Sequence, residues 1–218
     1  MNDGGSMKRF FSLLLVIVGM LPLAVLAASE VALVTSVEGK VNGATGPLSA
    51  FAKLSQGETL TLSSNAKVAL VFLGNGRQEN WAGKGRLEIK EEGGHSSNLP
   101  PPTSQQLPLI MVKQLARTPG LDSQERAGAL RLRSAAVVDA VARVDATYRQ
   151  AREVSPANDR TPELYLLSGL FELRQYNRVA EVLQGLREKY PDSMEVQQLS
   201  SRYLKALQAA KQDEESGR

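Results

Sequence analysis

Residues 67–82 read KVALVFLGNGRQENWA, and this stretch decides the first half of the fold. Val68, Leu70 and Phe72 alternate with Ala69 and Val71, so a strand of period two carries apolar side chains on both faces. A strand buried on both sides belongs in the interior of a sheet. Asn75-Gly76 follows, and because that dipeptide takes positive φ readily it predicts a tight turn into a partner strand from Arg77 to Ala82. Outward from this pair, short alternating runs broken by Gly, Asn and Ser extend from Val31 to about Ile89. Asn42-Gly43 repeats the turn signal after Val41. Gly57 and Ser63-Ser64-Asn65 bracket a strand at Thr59 to Leu62, and Leu87 with Ile89 marks the last one. The expectation is a small, mainly antiparallel all-β domain over residues 28–92.

Several of these features occur in a familiar order: Val34, Val37, Gly39 and Val41; then Leu54-Ser55-Gln56-Gly57-Glu58-Thr59-Leu60; then the Val68, Leu70, Phe72 strand with its glycine turn; then Leu87 and Ile89. The segment of about 31–90 resembles the FecR-type periplasmic domain. The best-known members of that family are transmembrane regulators of a cytoplasmic sigma factor. Here only Met1 to Arg9 precede an apolar segment, with no cytoplasmic arm among them, so the resemblance implies an envelope binding domain rather than an anti-sigma factor.

The composition changes at Gly93-Gly94. From there to Pro108 the chain is rich in Pro, Gly, Ser and Asn, including Pro100-Pro101-Pro102, which predicts an extended linker over 93–108 between halves that move independently. Leu109 to Leu115 is apolar and reads equally as a returning strand or as a segment docked under helices. Asp122-Ser123-Gln124-Glu125 has capping-box spacing and opens a long helix to about Val154, with Leu130, Val137, Val141, Val144, Tyr148 and Ala151 on one stripe. Thr161 is expected to cap a second helix with Pro162 at its first position, and Leu164, Leu167, Leu170 and Phe171 form its apolar side. A third helix begins near Tyr176 with Val179, Leu183, Leu186 and Tyr190. After Pro191, Asp192 to Glu195 forms a second capping box for a last helix carrying Val196, Leu199, Tyr203 and Leu207. The fold class expected is therefore α+β in two parts: the β domain, then an antiparallel α-helical hairpin array over 109–212, with a disordered tail at 213–218.

The unit from about Arg160 to Ser193 resembles a tetratricopeptide repeat, in its aliphatic first helix, its Tyr at the turn and its Pro closing the second helix. It departs from the pattern at Leu167 or Ser168, where the repeat prefers Gly, and at Val179, where it prefers Ala. The resemblance implies a concave peptide-binding groove, and on it would lie the face opposite the leucines: Tyr165, Ser168 and Glu172.

Lys8 and Arg9 precede the apolar run Phe10 to Leu26, and Val25-Leu26-Ala27 offers small residues at a cleavage site. Residues 1–27 thus read as a signal peptide, cleaved to start the mature chain near Ala28, with Met7 as an alternative start. Pro22 interrupts the run, and no stable membrane span is expected after cleavage. The location implied is periplasmic or envelope-associated. Losing Lys8, Arg9 and Asp3 lowers the formal charge of +3 by one, and Arg and Glu are interspersed along the helical half, which argues against nucleic acid as a partner. The chain has no cysteine, which excludes disulfides, thiolate zinc ligation, a Cys nucleophile and lipoprotein anchoring.

Chemistry-bearing residues are sparse. The one histidine, His95, falls in the expected linker and reads as solvated. Gly74-Asn75-Gly76 and Gly83-Lys84-Gly85 read as hairpin turns rather than phosphate loops, since neither opens a helix after a strand. Glu91-Glu92 reads as a solvated edge. Trp81, the single tryptophan, reads as core packing, with an exposed carbohydrate or partner contact as the sharper alternative. We expect no catalysis, no cofactor and no metal. The function expected is that of an exported envelope binding or scaffold protein whose partner is an unidentified envelope protein or cell-wall component. The alternative is a ligand- or carbohydrate-sensing module of the periplasm.

Overall fold

The computed structural model describes residues 29–118 and 134–216; the expected signal peptide, the Asp122 to Glu125 cap and Leu130 lie outside them. Among the described residues, ten strands form two five-stranded antiparallel sheets. The first contains β1 (Glu30–Glu38), β4 (Lys53–Ser55), β6 (Lys67–Phe72), β7 (Arg77–Ala82) and β10 (Thr103–Gln106), in the order β10-β7-β6-β1-β4. The second contains β2 (Val41–Gly43), β3 (Gly46–Pro47), β5 (Thr59–Leu62), β8 (Gly85–Ile89) and β9 (Gly94–His95), in the order β3-β2-β5-β8-β9. Five helices follow: α1 (Leu109–Leu115), α2 (Ser134–Val154), α3 (Thr161–Glu172), α4 (Tyr176–Lys189) and α5 (Met194–Ser216). The expected α+β class in two parts is observed, and no helix among the described residues is long and apolar enough to cross a membrane.

The two faces of β6 do different work, as its sequence requires. Val68, Leu70 and Phe72 join Val34, Leu60, Leu62, Trp81, Leu87 and Ile89 in the core between the sheets. On the other face Val71 and Leu33 join Phe51, Met111, Leu115, Leu164, Leu167 and Tyr203 in a second core, under the helices. The halves therefore share one apolar interior. That corrects the expectation of mobile halves on a linker. Within 93–108, Thr103–Gln106 pairs with β7 and Gly94–His95 pairs with β8, so parts of the stretch are built into the two sheets as edge strands, and Pro100-Pro101-Pro102 lie between those strands, outside either ladder.

Polar bonds fix the docking. Arg202 on α5 is buried and donates to the Phe51 carbonyl at 2.6 Å and the Ala50 carbonyl at 3.4 Å. Phe51 has φ of 68°, a left-handed conformation unusual for a bulky side chain, and it is held there by this bond and by burial of its ring. Glu195, expected to close a capping box, instead accepts from Ser36 Oγ at 2.6 Å and from Val37 N at 2.8 Å, next to the irregularity in β1 between Val34 and Ser36. The α5 cap bond comes from Ser193, whose Oγ accepts from Val196 N.

Other boundaries move for equally local reasons. Thr161 does not cap α3; Asp159 Oδ1 accepts from Thr161 N at 2.8 Å, which makes Thr161 the first helical residue and leaves Pro162 in the first turn. Asn42 and Gly43 pair with Pro47 and Gly46, so the hairpin turns at Ala44-Thr45 instead. Gly83-Lys84-Gly85 carries the chain from one sheet to the other, since β7 and β8 pair in different sheets. Gly74-Asn75-Gly76 is the expected hairpin turn. A Cβ on Gly76, which has φ of 75°, would meet Val112 Cγ2 at 2.9 Å, so this turn packs directly on α1. The helix α5 continues to Ser216, through much of the expected tail. α3 is buried nearly all round, and Gly169 admits α2 there: a Cβ on it would lie 3.0 Å from both methyls of Val144.

Because one interior spans both halves, denaturant should unfold them together. Trp81 fluorescence, reporting the sheets, and far-ultraviolet ellipticity, reporting the helices, are expected to give coincident transitions. Arg202→Ala should lower stability by about 2 kcal/mol, the scale of lost hydrogen bonds from a charged group, as measured by the shift in denaturation midpoint.

Candidate functional site

The face expected to form a peptide groove is already occupied. Tyr165 and Ser168 are each only 2% exposed, because α1 lies across α3 at this point. Gln114 Nε2 donates to Ser168 Oγ at 3.1 Å and to Glu172 Oε2 at 3.0 Å, while Ser168 Oγ donates to the Gln114 carbonyl at 2.8 Å. Arg117 completes the arrangement with a 2.5 Å ion pair to Glu172. Leu109 to Leu115, left open between two readings by the sequence, is thus a helix docked under the others, with Met111, Val112 and Leu115 buried. Ser168 and Glu172 are brought together around a segment of the same chain, and Tyr165 is buried in the core.

Behind Ser168 lies Tyr203, fully buried, with Thr118 and Ser168 as polar neighbours of its hydroxyl and the Phe171 ring edge-on at 5.9 Å. Burial pushes its phenol well above the ordinary value of 10.0. The folded state thus favours the neutral phenol. Its contribution is present in full below the unfolded pKa and is lost as pH rises through the folded one.

Of the other singled-out residues, Trp81 is structural. Trp81 is buried in the core between the sheets, and its Nε1 donates to Glu79 Oε2 at 2.8 Å. Glu79, itself buried, also accepts from Gly94 N at 2.9 Å and from Arg77 Nε at 2.8 Å, so one carboxylate ties β7 to β9. The expectation of core packing for Trp81 holds. His95 is exposed on β9 opposite Glu88, and Glu91 and Glu92 are exposed beyond β8. Among the described residues, no three His, Cys, Asp or Glu side chains are placed to hold a metal ion.

An open site lies elsewhere, on the part of the first sheet's outer face that the helices leave uncovered. Strand register arranges this face in rows. Leu33, Val71, Gln78 and Gln105 form the row nearest the helices; Ser36, Ala69, Asn80 and Thr103 form the next; Glu38, Lys67 and Ala82 form the last. The last two rows, with Gln78 and Gln105, floor a groove of about 420 Å³, walled by Pro100 and Pro101 on one side and by Pro156, Asn158 and Asp159 of the α2–α3 loop on the other. Volumes of about 300–1,000 Å³ are usual for ligand sites.

The inner end of the groove is a closed network. Gln78 Nε2 donates to Asp159 Oδ2 at 3.2 Å, and Gln105 Nε2 donates to Gln78 Oε1 at 3.0 Å and to the same carboxylate at 3.4 Å. Arg152 holds the loop itself, donating to the Asp159 carbonyl at 2.7 Å and to the Pro156 carbonyl while paired with Glu163 at 3.0 Å. At the outer end Lys67 and Glu38 form an ion pair of 2.8 Å. Between them Asn80, Thr103 and Asn158 have no hydrogen-bond partner for their side chains among the described residues. Sequence reasoning missed this site because its walls come from the supposed linker and from a helix–helix loop. The available signal was the alternation of polar Gln78 and Asn80 with Trp81 on a strand whose other face is core.

Set beside known families, curated proteins and solved structures, the chain has no match. The groove is therefore judged on its own geometry.

Replacing Tyr203 by Phe keeps the ring and removes the ionisable hydroxyl. The variant should lose less stability than the parent as pH rises above about 10, which a series of denaturation curves at alkaline pH would show.

Proposed function

We propose that this is an exported envelope protein that binds rather than transforms its partner: a FecR-like β domain joined to tetratricopeptide-like helices, scaffolding protein or cell-wall interactions. The observation that carries this reading is the open groove on the outer face of the first sheet, to which both halves contribute walls. Its floor is rigid, being the face of an ordered sheet, and its loop wall is fixed by Arg152 and Asp159, so the site is preorganised for recognition. The signal-like residues 1–27 support export. The helices in this reading are a clamp that shapes the groove and covers the sheet. They are not a separate peptide-binding arm, because α1 takes up the face that such an arm would present.

Affinity capture from envelope fractions tests the proposal. Asn80 is exposed at the middle of the groove floor, so Asn80→Trp should leave the fold intact and fill the site. Recovery of the specific partner is expected to fall at least about tenfold, corresponding to about 1.4 kcal/mol. Unchanged recovery with a correctly folded variant would remove the groove from the function.

A further inference from the structure

We infer that the groove takes a neutral saccharide chain, with Asn80, Thr103 and Asn158 as the residues that read its hydroxyls. The inference rests on the groove being the binding surface.

Three properties of the site select this chemistry. The one cation among the lining residues is already paired: Lys67 is held by Glu38, while the Asp159 carboxylate is occupied by hydrogen bonds from Gln78, Gln105 and the Thr161 amide. An anionic ligand would have to displace Glu38 from Lys67 and would face the Asp159 carboxylate, whereas a neutral one meets neither obstacle. The second property is the kind of group left over. Asn80 and Asn158 each present an amide with donors and an acceptor, and Thr103 presents a hydroxyl that does both. Such groups complement sugar hydroxyls, which also donate and accept. The walls supply the third, since the Pro100, Pro101 and Pro156 rings offer rigid apolar surface beside those polar groups, as the C–H faces of a pyranose require.

An extended peptide fits less well. Peptides bind sheets by adding to an edge, where backbone groups are unpaired, and this site lies on a face where neighbouring strands use those groups in their ladders. Side-chain pockets would then have to supply recognition, and the floor between Ser36 and Thr103 holds only Ala69 and Asn80.

The test uses the full chain, purified and titrated with chitotetraose, maltotetraose and cellotetraose, with an oligogalacturonate as the anionic comparison, and binding read by calorimetry. At least one neutral oligosaccharide is expected to bind saturably, and Asn80→Ala and Thr103→Val should each weaken it about three- to tenfold, the effect of one lost hydrogen bond. The oligogalacturonate should bind at least about tenfold more weakly. Absence of saturable binding to all three neutral chains, equal binding by both variants, or preference for the anionic chain would each overturn the inference. Asn80→Trp separates this from the wider reading. If that variant loses its envelope partner while no neutral saccharide binds the parent, the groove functions but its ligand is a protein. If it loses neither, the groove reading fails as well.

Discussion

The structure depends on a sheet that is apolar on both faces. β6 sends Val68, Leu70 and Phe72 one way and Val71 the other, and β1 adds Leu33 beside Val71, so a two-sheet sandwich alone would leave a hydrophobic patch in water. The helices are the second cover. Polar groups fix their attachment, some on backbone and some on side chains: Arg202 on the carbonyls of Ala50 and Phe51, Glu195 on the Val37 amide and the Ser36 hydroxyl, and Asp159 on Gln78 and Gln105. Apolar burial provides the driving force, and these bonds set the orientation.

The same cover is incomplete, and the groove is the consequence. Along the first sheet the outer face changes from apolar at Leu33 and Val71 to polar at Ser36, Asn80 and Thr103, and the helical cover ends where the change occurs. A small cavity is left between a sheet that no longer needs covering and a loop that Arg152 and Asp159 hold in place. The rigidity of the site thus comes from residues that make no contact with its open middle.

Much of this was legible in the sequence where periodicity carried the information. The strands at 59–62 and 77–82, the double burial of 67–72, the apolar stripes of α3 to α5 and the start of α4 all follow from spacing and turn chemistry. What was not legible were contacts between residues far apart in the chain. Nothing local distinguishes Glu195 as a capping-box residue from Glu195 as an acceptor for β1, and the local reading was the wrong one. The prolines of 93–108 signalled a linker, yet they lie between two short edge strands, which only the pairing of Thr103–Gln106 with β7 and of Gly94–His95 with β8 discloses. The face of Tyr165, Ser168 and Glu172, expected to form an open peptide groove, is occupied in the fold. The sequence did not disclose that the occupant is α1.

The link from Ser36 to Glu195 joins residues 159 apart in the chain. A polypeptide made or translocated from its N-terminus presents β1 and β6 early, when the helix that will shield their outer face has not yet emerged. During that interval Leu33 and Val71 lack the helical side of their core, and contacts of such long sequence separation also form slowly. The architecture therefore leaves the outer face of β1 and β6 only partly covered until the last helices arrive, and that interval is when the chain is most exposed to aggregation.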